Sequence, residues 1–259
     1  MMVAGRILQM LLMIWLFVLL YAIVYLARKG RKIEMRSIAA LDAIDEGVAR
    51  AAEMGRTVHF TPGFAVGGLY HPVMGPGVVA GIGILKRVAE STAKRGTGII
   101  VSLAQPESVP LVDEVLKVAY AAQGKSVPPD AVRFISTEQM MYASGVLSIL
   151  REERPGVNIL MGHFWSEAMQ FSEGGAYIGA LQISGTNAIG SAGTFVISSD
   201  YALIGEELFA AKAYIERKPD DLGAIQAQDF FRLTLVILVL FAWLLGNLGL
   251  KDIIGLLKI

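Results

Sequence analysis

An α/β fold, a doubly wound and mainly parallel sheet of about six strands flanked by an N-terminal and a C-terminal transmembrane helix, follows from three features of the sequence. Short runs of strand-forming residues alternate with longer segments of three-to-four apolar spacing through the middle of the chain. One of those runs, TGIIVSL at residues 97–103, is apolar without alternation, as expected of a strand covered by helices on both faces. Third, 54% of the 259 residues are hydrophobic and only 18% charged, with a mean hydropathy of +0.54, a balance that calls for membrane segments.

Two such segments stand out. Residues 10–26 form a charge-free apolar run that with its flanks reaches about 20 residues, enough for a hydrocarbon core of about 30 Å. Residues 233–250, after Arg232, form a second. A cleaved signal peptide competes for the first run, but the apolar part exceeds the usual length of about 7–15 residues and no small-x-small site follows, which favours an uncleaved anchor. Arg28, Lys29, Arg31, Lys32 and Arg36 crowd one end of the first run against Arg6 at the other. Lys212, Arg217, Lys218 and Arg232 precede the second run, and Lys251 and Lys258 follow it. The positive-inside rule then places residues 28–232 in the cytoplasm and both termini outside the cell (inner) membrane. The expected organisation is an anchor at 1–28, a linker helix at 29–54, a Rossmann-like domain at 55–219, a polar linker at 220–231, and a second membrane helix at 232–259 whose tail, KDIIGLLKI, lies along the interface.

In chain order, Ile38, Leu41, Ile44, Val48 and Ala51 make one helical stripe within residues 33–54, and Gly55 stops it. A strand at 57–60 runs into Thr61-Pro62-Gly63, and a glycine-rich loop leads to Pro76, which suits the first turn of a helix ending at Gly96. After the strand at 97–103, Pro110 opens a helix with Leu111, Val112, Val115, Leu116 and Ala119 inward, closed by Gly124. The strand at 131–135 precedes Ser136-Thr137-Glu138-Gln139, which has capping-box spacing with Ser136 as the cap. Then come a helix to Glu153, a strand at 157–161, a short helix at 165–173 ended by Gly174-Gly175, and a strand at 178–184. A brief crossover helix at 193–198, a strand at 201–205 and a helix at 208–215 complete six strand–helix units.

Residues 177–207 look most like a site-bearing edge, because two strand-like runs there end in small and polar residues instead of closing in a hairpin. In a parallel sheet, ligands bind at the carboxyl ends of strands, where helix amino termini also point. Those ends supply Thr61, Ser102, Gln105, Ser136, His163, Thr186, Asn187 and Glu207, suited to a small anionic or sugar-like ligand, with Phe164 and Trp165 as cover. The same residue types also cap helices whatever the function. Among the histidines, His59 and His163 fall near strand ends and are close enough in expectation to meet each other with Glu206 or Glu207. Gly75, Gly77, Gly81 and Gly83 precede or open a helix, but too far beyond the first strand for a dinucleotide fingerprint, and no acidic residue ends the second strand to hold a ribose. P-loop, HExxH and GxSxG motifs are absent, no metal ligand set is expected, and the motifs name no cofactor or catalytic residue. A formal net charge of zero argues against nucleic acid as a partner, and the absence of cysteine excludes disulfides and thiolate chemistry.

The runs VHFTPG (58–63), VSLAQPE (101–107), RFIS (133–136) and DYALIGEELFAAKAYI (200–215) resemble a family of prokaryotic membrane-anchored proteins known only as a domain of unknown function. The resemblance covers roughly residues 41–219, is most specific in the last run, and implies the architecture above but no activity. Two roles are expected to compete. One is a self-assembling scaffold or interaction module that meets copies of itself or a membrane partner at the bilayer. The other is an enzyme or sensor binding a small molecule across the strand ends.

Overall fold

The structure, a computed structural model, describes residues 7–31, 33 and 36–247. The chain divides into two compact units, residues 37–215 and the terminal segments 1–36 with 216–259.

The central unit is built on strands β1 (Val58–Gly63), β2 (Ile99–Leu103), β3 (Val132–Phe134), β4 (Val157–His163), β5 (Leu181–Thr186) and β6 (Tyr201–Ile204). They form one sheet in the order β3-β2-β1-β4-β5-β6, parallel at every pairing. This is the doubly wound order whose winding direction reverses between β1 and β4. The connections are helical: α3 (Gly75–Arg95) and α4 (Val109–Ala121) wind outward from β1, and α5 (Gln139–Glu153) returns the chain to β4. From there α6 (Glu167–Tyr177) and α7 (Ile189–Ser198) wind the other way, while α2 (Ala39–Glu53) precedes the sheet and α8 (Glu207–Glu216) follows it.

Because successive strand residues point to opposite faces, the sheet has two different coats. Val58, Phe60, Val101, Leu103, Ile159, Met161 and Ile183 join α2, α3, α4 and α8 in one apolar core. Burying each such large side chain contributes about 1.5–3 kcal/mol. The alternate residues His59, Thr61, Ser102, Asn158, Gln182 and Ser184 are equally buried, beneath Tyr142, Val146, Phe171 and Phe195 of α5, α6 and α7. One face is therefore oily throughout and the other carries polar groups in its floor. Tight approach needs missing side chains: a Cβ on Gly81 of α3 would overlap the Met161 carbonyl of β4, and one on Gly175 of α6 would press on Gln182 and Asn158.

Several boundaries differ from the sequence expectation. Helix α2 starts at Ala39, later than the expected 33, and residues 36–38 lie outside it. The pair Gly174-Gly175 does not end α6, which runs through both to Tyr177: Gly175 lets the helix lie close on Gln182 and Asn158 of the sheet, and Gly174 faces Leu147 and Leu150 of α5. Ile178 caps that helix and Gly179 takes a φ of 68°, so β5 starts at Leu181 and not at 178. Ser136 is not the cap of α5: its Oγ accepts from the Glu138 amide, and the cap is Glu138, whose carboxylate accepts from the Met141 amide at 2.9 Å. The helix thus opens two residues later than the spacing suggests, with the Met141 amide capped and a carboxylate charge added to its positive end.

The second unit is an antiparallel pair, α1 (Ile7–Arg28) and α9 (Pro219–Asn247). The expected linker at 220–231 is instead the first turns of α9. Arg28 grips Asp220 with two hydrogen bonds of 2.6 and 2.8 Å, and Gly223 lets the backbones close, a Cβ there lying 3.0 Å from the Val24 Cα. Ile23, Ala27 and Ala227 are buried between the helices. The windows Gln9–Arg28 and Pro219–Phe241 are long and apolar enough to cross a membrane. Only 11% and 6% of them is buried, which sets them apart from core helices. The expected interfacial tail at 251–259 lies outside the described residues.

Two glycines of α3 test the close contact with β4. Gly81→Ala is expected to destabilise the protein by about 1–3 kcal/mol or more, since backbone must move. Gly83→Ala, with nothing within 4 Å of its new Cβ, is expected to stabilise by up to about 1 kcal/mol. Urea unfolding of the solubilised chain measures both, and equal effects would contradict the packing.

Candidate functional site

Ligands of doubly wound sheets sit where the winding reverses, so the carboxyl ends of β1 and β4 are the first place to look. Here the two strands pair to their ends. Gly63 registers with His163, and the Phe64 amide continues the ladder by donating to the His163 carbonyl at 2.8 Å. A Cβ on Gly63 would overlap that carbonyl, and one on Gly162 would overlap the Pro62 carbonyl. Phe64 and Phe164, which follow the strands, are both buried. The crevice is filled by the chain's own backbone and rings.

The amino terminus of α3, where a dinucleotide phosphate would rest, is also supplied from within. His71 Nδ1 accepts from the Val73 and Met74 amides at 3.3 and 3.1 Å, the Gly75 amide donates to the His71 carbonyl, and the Gly77 and Val78 amides donate to the Met74 carbonyl. First-turn amides that would otherwise seek an anion are spent on the preceding loop. That loop is pinned in turn by Glu107, whose Oε1 accepts from the Leu69 amide at 3.0 Å.

Of the sequence-predicted residues, the structure brings three together at the ends of β4 and β5. His163 Nδ1 lies 2.8 Å from Asn187 Oδ1, and its Nε2 accepts from the Trp165 indole N–H at 2.8 Å. An indole can only donate, so the His163 proton sits on Nδ1 and both ring nitrogens are engaged. Thr186 Oγ1 accepts from the Ala188 amide at 3.1 Å beside Ser191. The other five lie apart. Thr61 is buried against the Tyr142 hydroxyl, and Ser102 against His59. Gln105 is buried with its Nε2 turned to the Ala65 carbonyl at 3.4 Å, and its Oε1 has no hydrogen-bond partner. Ser136 follows β3 and Glu207 opens α8 after β6, the two outermost strands. Five strand spacings, about 24 Å, separate those edges, so no single small ligand spans all eight residues.

Nor do His59 and His163 meet. His59 is fully buried on β1, its Nδ1 donating to Asn158 Oδ1 at 2.7 Å and its Nε2 accepting from the Ser102 hydroxyl at 2.9 Å. Asn158 passes the pattern on, its Nδ2 donating to Gln182 Oε1 at 3.4 Å, and Gln182 Nε2 donates to the Ser172 and Ser198 carbonyls at 2.8 and 3.1 Å. This donor chain crosses four adjacent strands, β2, β1, β4 and β5, with each member's acceptor facing the previous member's donor. Burial pushes the His59 imidazole down to about 4, against the smaller upward pull of Asn158. It is a neutral structural group, unsuited to acid–base work near neutrality. Burial likewise raises the Tyr142 hydroxyl, which stays protonated beside Thr61.

Sequence reasoning passed over Asn158, Gln182, Tyr142 and Glu167. Glu167 is buried at the start of α6, accepting from the Trp165 amide at 3.0 Å and from Gln139 Nε2 at 2.6 Å. The available signal was two polar residues, Asn158 and Gln182, near the starts of otherwise apolar strand runs. Two cavities, of 190 and 430 Å³, lie at the opposite, amino ends of β1 and β2, lined by Arg56, Thr57, Arg95, Thr97 and Lys125 among others. Helix carboxyl termini end there, and the cations answer them: Lys125 Nζ donates to the Ala93 carbonyl at 2.6 Å. Among the described residues, no group of His, Asp and Glu is placed to hold a metal ion.

Comparison with protein families finds one whose model, a domain of unknown function (DUF6754), matches residues 1–256. Neither the curated proteins nor the solved structures gave a match.

The buried imidazole makes stability depend on pH in a defined direction. In the unfolded chain His59 takes its proton near 6.5, in the folded one only near 4, so between these values the unfolded state binds more protons. Stability is full above about 6.5 and falls as pH drops toward 4, by about 3 kcal/mol. Unfolding free energies of the native chain and of His59→Gln over that range check it: the variant is expected to lose most of the slope, and an unchanged slope would contradict the buried neutral assignment.

Proposed function

We propose, for a chain that belongs to the DUF6754 family over nearly its whole length, a non-catalytic role as a membrane-tethered module that assembles with copies of itself or with a membrane partner. The closure of the carboxyl edge carries this reading. The place where a doubly wound sheet would hold a ligand is filled by the Gly63–His163 register, by Phe64 and Phe164, and by a self-capped α3. What that edge offers outward is apolar. Val66, Tyr70, Val73, Met140, Met141, Trp165, Met169 and Ile189 follow the strand ends and are exposed, Tyr70 and Ile189 by 89% and 92%. Flexible methionines interspersed with aromatic rings suit a protein surface better than a small polar ligand. The basic flank Arg28, Lys29, Arg31 and Arg36 supports a cytoplasmic α/β unit at the inner face of a cell membrane, with both ends of the chain beyond it.

A second reading, a sensor or enzyme for a small anionic or sugar-like molecule, draws support from one atom. Gln105 Oε1 is buried and has no hydrogen-bond partner, an arrangement that costs about 1–3 kcal/mol unless a donor fills it. A thermal-shift screen against nucleotides and phosphosugars separates the readings: stabilisation that is lost in Gln105→Leu supports the second.

The mass of the detergent-solubilised chain by light scattering tests the first. The native chain is expected to run as a multimer, and Tyr70→Lys with Met169→Lys to lower its mass without a change in melting temperature, since both side chains are exposed. A strictly monomeric native chain at concentrations matching those in a membrane would overturn the proposal.

A further inference from the structure

Three successive helix-to-strand turns meet at the amino edge of the sheet, and all three are built alike. Helices α2, α3 and α4 end there, ahead of β1, β2 and β3, which are neighbours in the sheet. Each turn carries a left-handed glycine, Gly55, Gly96 and Gly124, with φ of 65°, 73° and 64°. The amide after each glycine turns back to its helix: Arg56 donates to the Ala51 carbonyl at 2.9 Å, Thr97 to Thr92 at 3.1 Å and Lys125 to Tyr120 at 3.0 Å. This is the Schellman closure, in which backbone satisfies the last carbonyls. Beside each glycine the sequence places a cation and a hydroxyl: Arg56 with Thr57, Arg95 with Thr97, and Lys125 with Ser126.

These residues line the two cavities at that edge, of 190 and 430 Å³. Arg56, Thr57 and Arg95 belong to the smaller, Lys125 and Ser126 to the larger, and Thr97 to both. Helix capping does not account for all the positive charge. Lys125 Nζ bonds the Ala93 carbonyl and Arg95 Nη1 donates to the Ser91 hydroxyl at 3.1 Å, but the half-buried Arg56 side chain bonds neither a helix carbonyl nor a hydroxyl among the described residues. Among the described residues none of the three cations forms an ion pair, and no Asp or Glu lines either cavity. Three helix carboxyl termini bring about −1.5 charges to this edge against three full cations, so the positive sign wins.

A second observation is independent of charge. Thr97 is only 7% exposed and Thr57 is partly buried, and the hydroxyl oxygen of each is buried without a hydrogen-bond partner. Buried hydroxyls in folded proteins are nearly always partnered. Here two that are not stand in the wall of one cavity ringed by arginines, and a threonine hydroxyl reaches a new acceptor by one change of χ1.

We infer that this edge is a binding site for the phosphate group of a small phosphorylated compound, held by Arg56, Arg95, Thr57 and Thr97, with the rest of the molecule over the larger cavity beside Lys125 and Ser126. Phosphate fits better than a carboxylate, because its several oxygens use two planar guanidinium forks and two hydroxyls together. The site lies at the opposite end of the strands from the apolar rim, so it stands whether or not the chain assembles.

Thermal unfolding of the full-length chain in nanodiscs of neutral lipid tests this, with pyrophosphate as the probe and ionic strength held constant with chloride. Pyrophosphate is expected to raise the melting temperature of the native chain, and Arg56→Gln and Thr97→Val each to weaken its apparent affinity about tenfold. Without pyrophosphate, Thr97→Val is expected to melt no lower than the native chain, since the hydroxyl it removes has no partner, so that lost binding is not lost folding. Gln105→Leu, at the other edge, is expected to keep the full shift. A second arm replaces free pyrophosphate with phosphatidic acid in the disc. A shift in that arm alone, lost in the same two variants, assigns the phosphate to a lipid headgroup, and a shift with free pyrophosphate assigns it to a soluble compound. No shift in either arm, or one that persists undiminished in Arg56→Gln or in Thr97→Val, would overturn the inference.

Discussion

The central unit depends on the donor chain Ser102–His59–Asn158–Gln182, laid across the four middle strands on one face of the sheet. Each strand contributes one member, and each member is oriented by the next, so the four strands cannot shift register independently without leaving a buried donor or acceptor unpaired. An unpaired group of that kind costs about 1–3 kcal/mol, and in a low-dielectric interior the bonds polarise one another. Gly175 belongs to the same device, since any side chain there would hold α6 away from Gln182 and Asn158. The opposite face, packed by α2 and α3, supplies apolar burial without this specificity. One face gives most of the driving force; the other fixes how the strands line up.

The same constraint bears on function. A His–Asn–Ser constellation invites a catalytic reading, but here it lies under Phe171 and Tyr142 with the imidazole neutral, and its donors are spent on structure. The carboxyl edge above it is closed by two glycines whose backbones touch those of the facing strand. The strand order is that of nucleotide-binding sheets, yet the carboxyl ends of β1 and β4 are occupied by their own backbone and rings, so the fold by itself names no function. Around those ends the α/β unit exposes an apolar rim that includes Tyr70, Met169 and Ile189.

Much of this was legible in the sequence. Six strand–helix alternations were readable because periodicity changes between two and 3.6 at each boundary, and parallel pairing followed from the unbroken apolar run at 97–103. Boundaries were misplaced where glycine had two meanings. Gly174-Gly175 reads as a helix stop in one dimension and is a close-approach surface in three. Ser136 has the spacing of a cap, yet the helix opens two residues later, where Glu138 caps the Met141 amide with a charge. The candidate site was only partly legible: the strand ends were identified, but strand order decides which ends are neighbours, and that order put Ser136 and Glu207 at opposite edges of the sheet. His59 was misread because sequence alone gives no sign that both its nitrogens are answered by side chains from adjacent strands.

Electron cryomicroscopy of the full-length chain in lipid nanodiscs tests the central claim, assembly in place of catalysis, most directly. The account predicts several copies per particle, with the strand-end rims of the α/β units covered by protein. Particles holding a single copy, with non-protein density lodged between the carboxyl ends of β1 and β4, would contradict it.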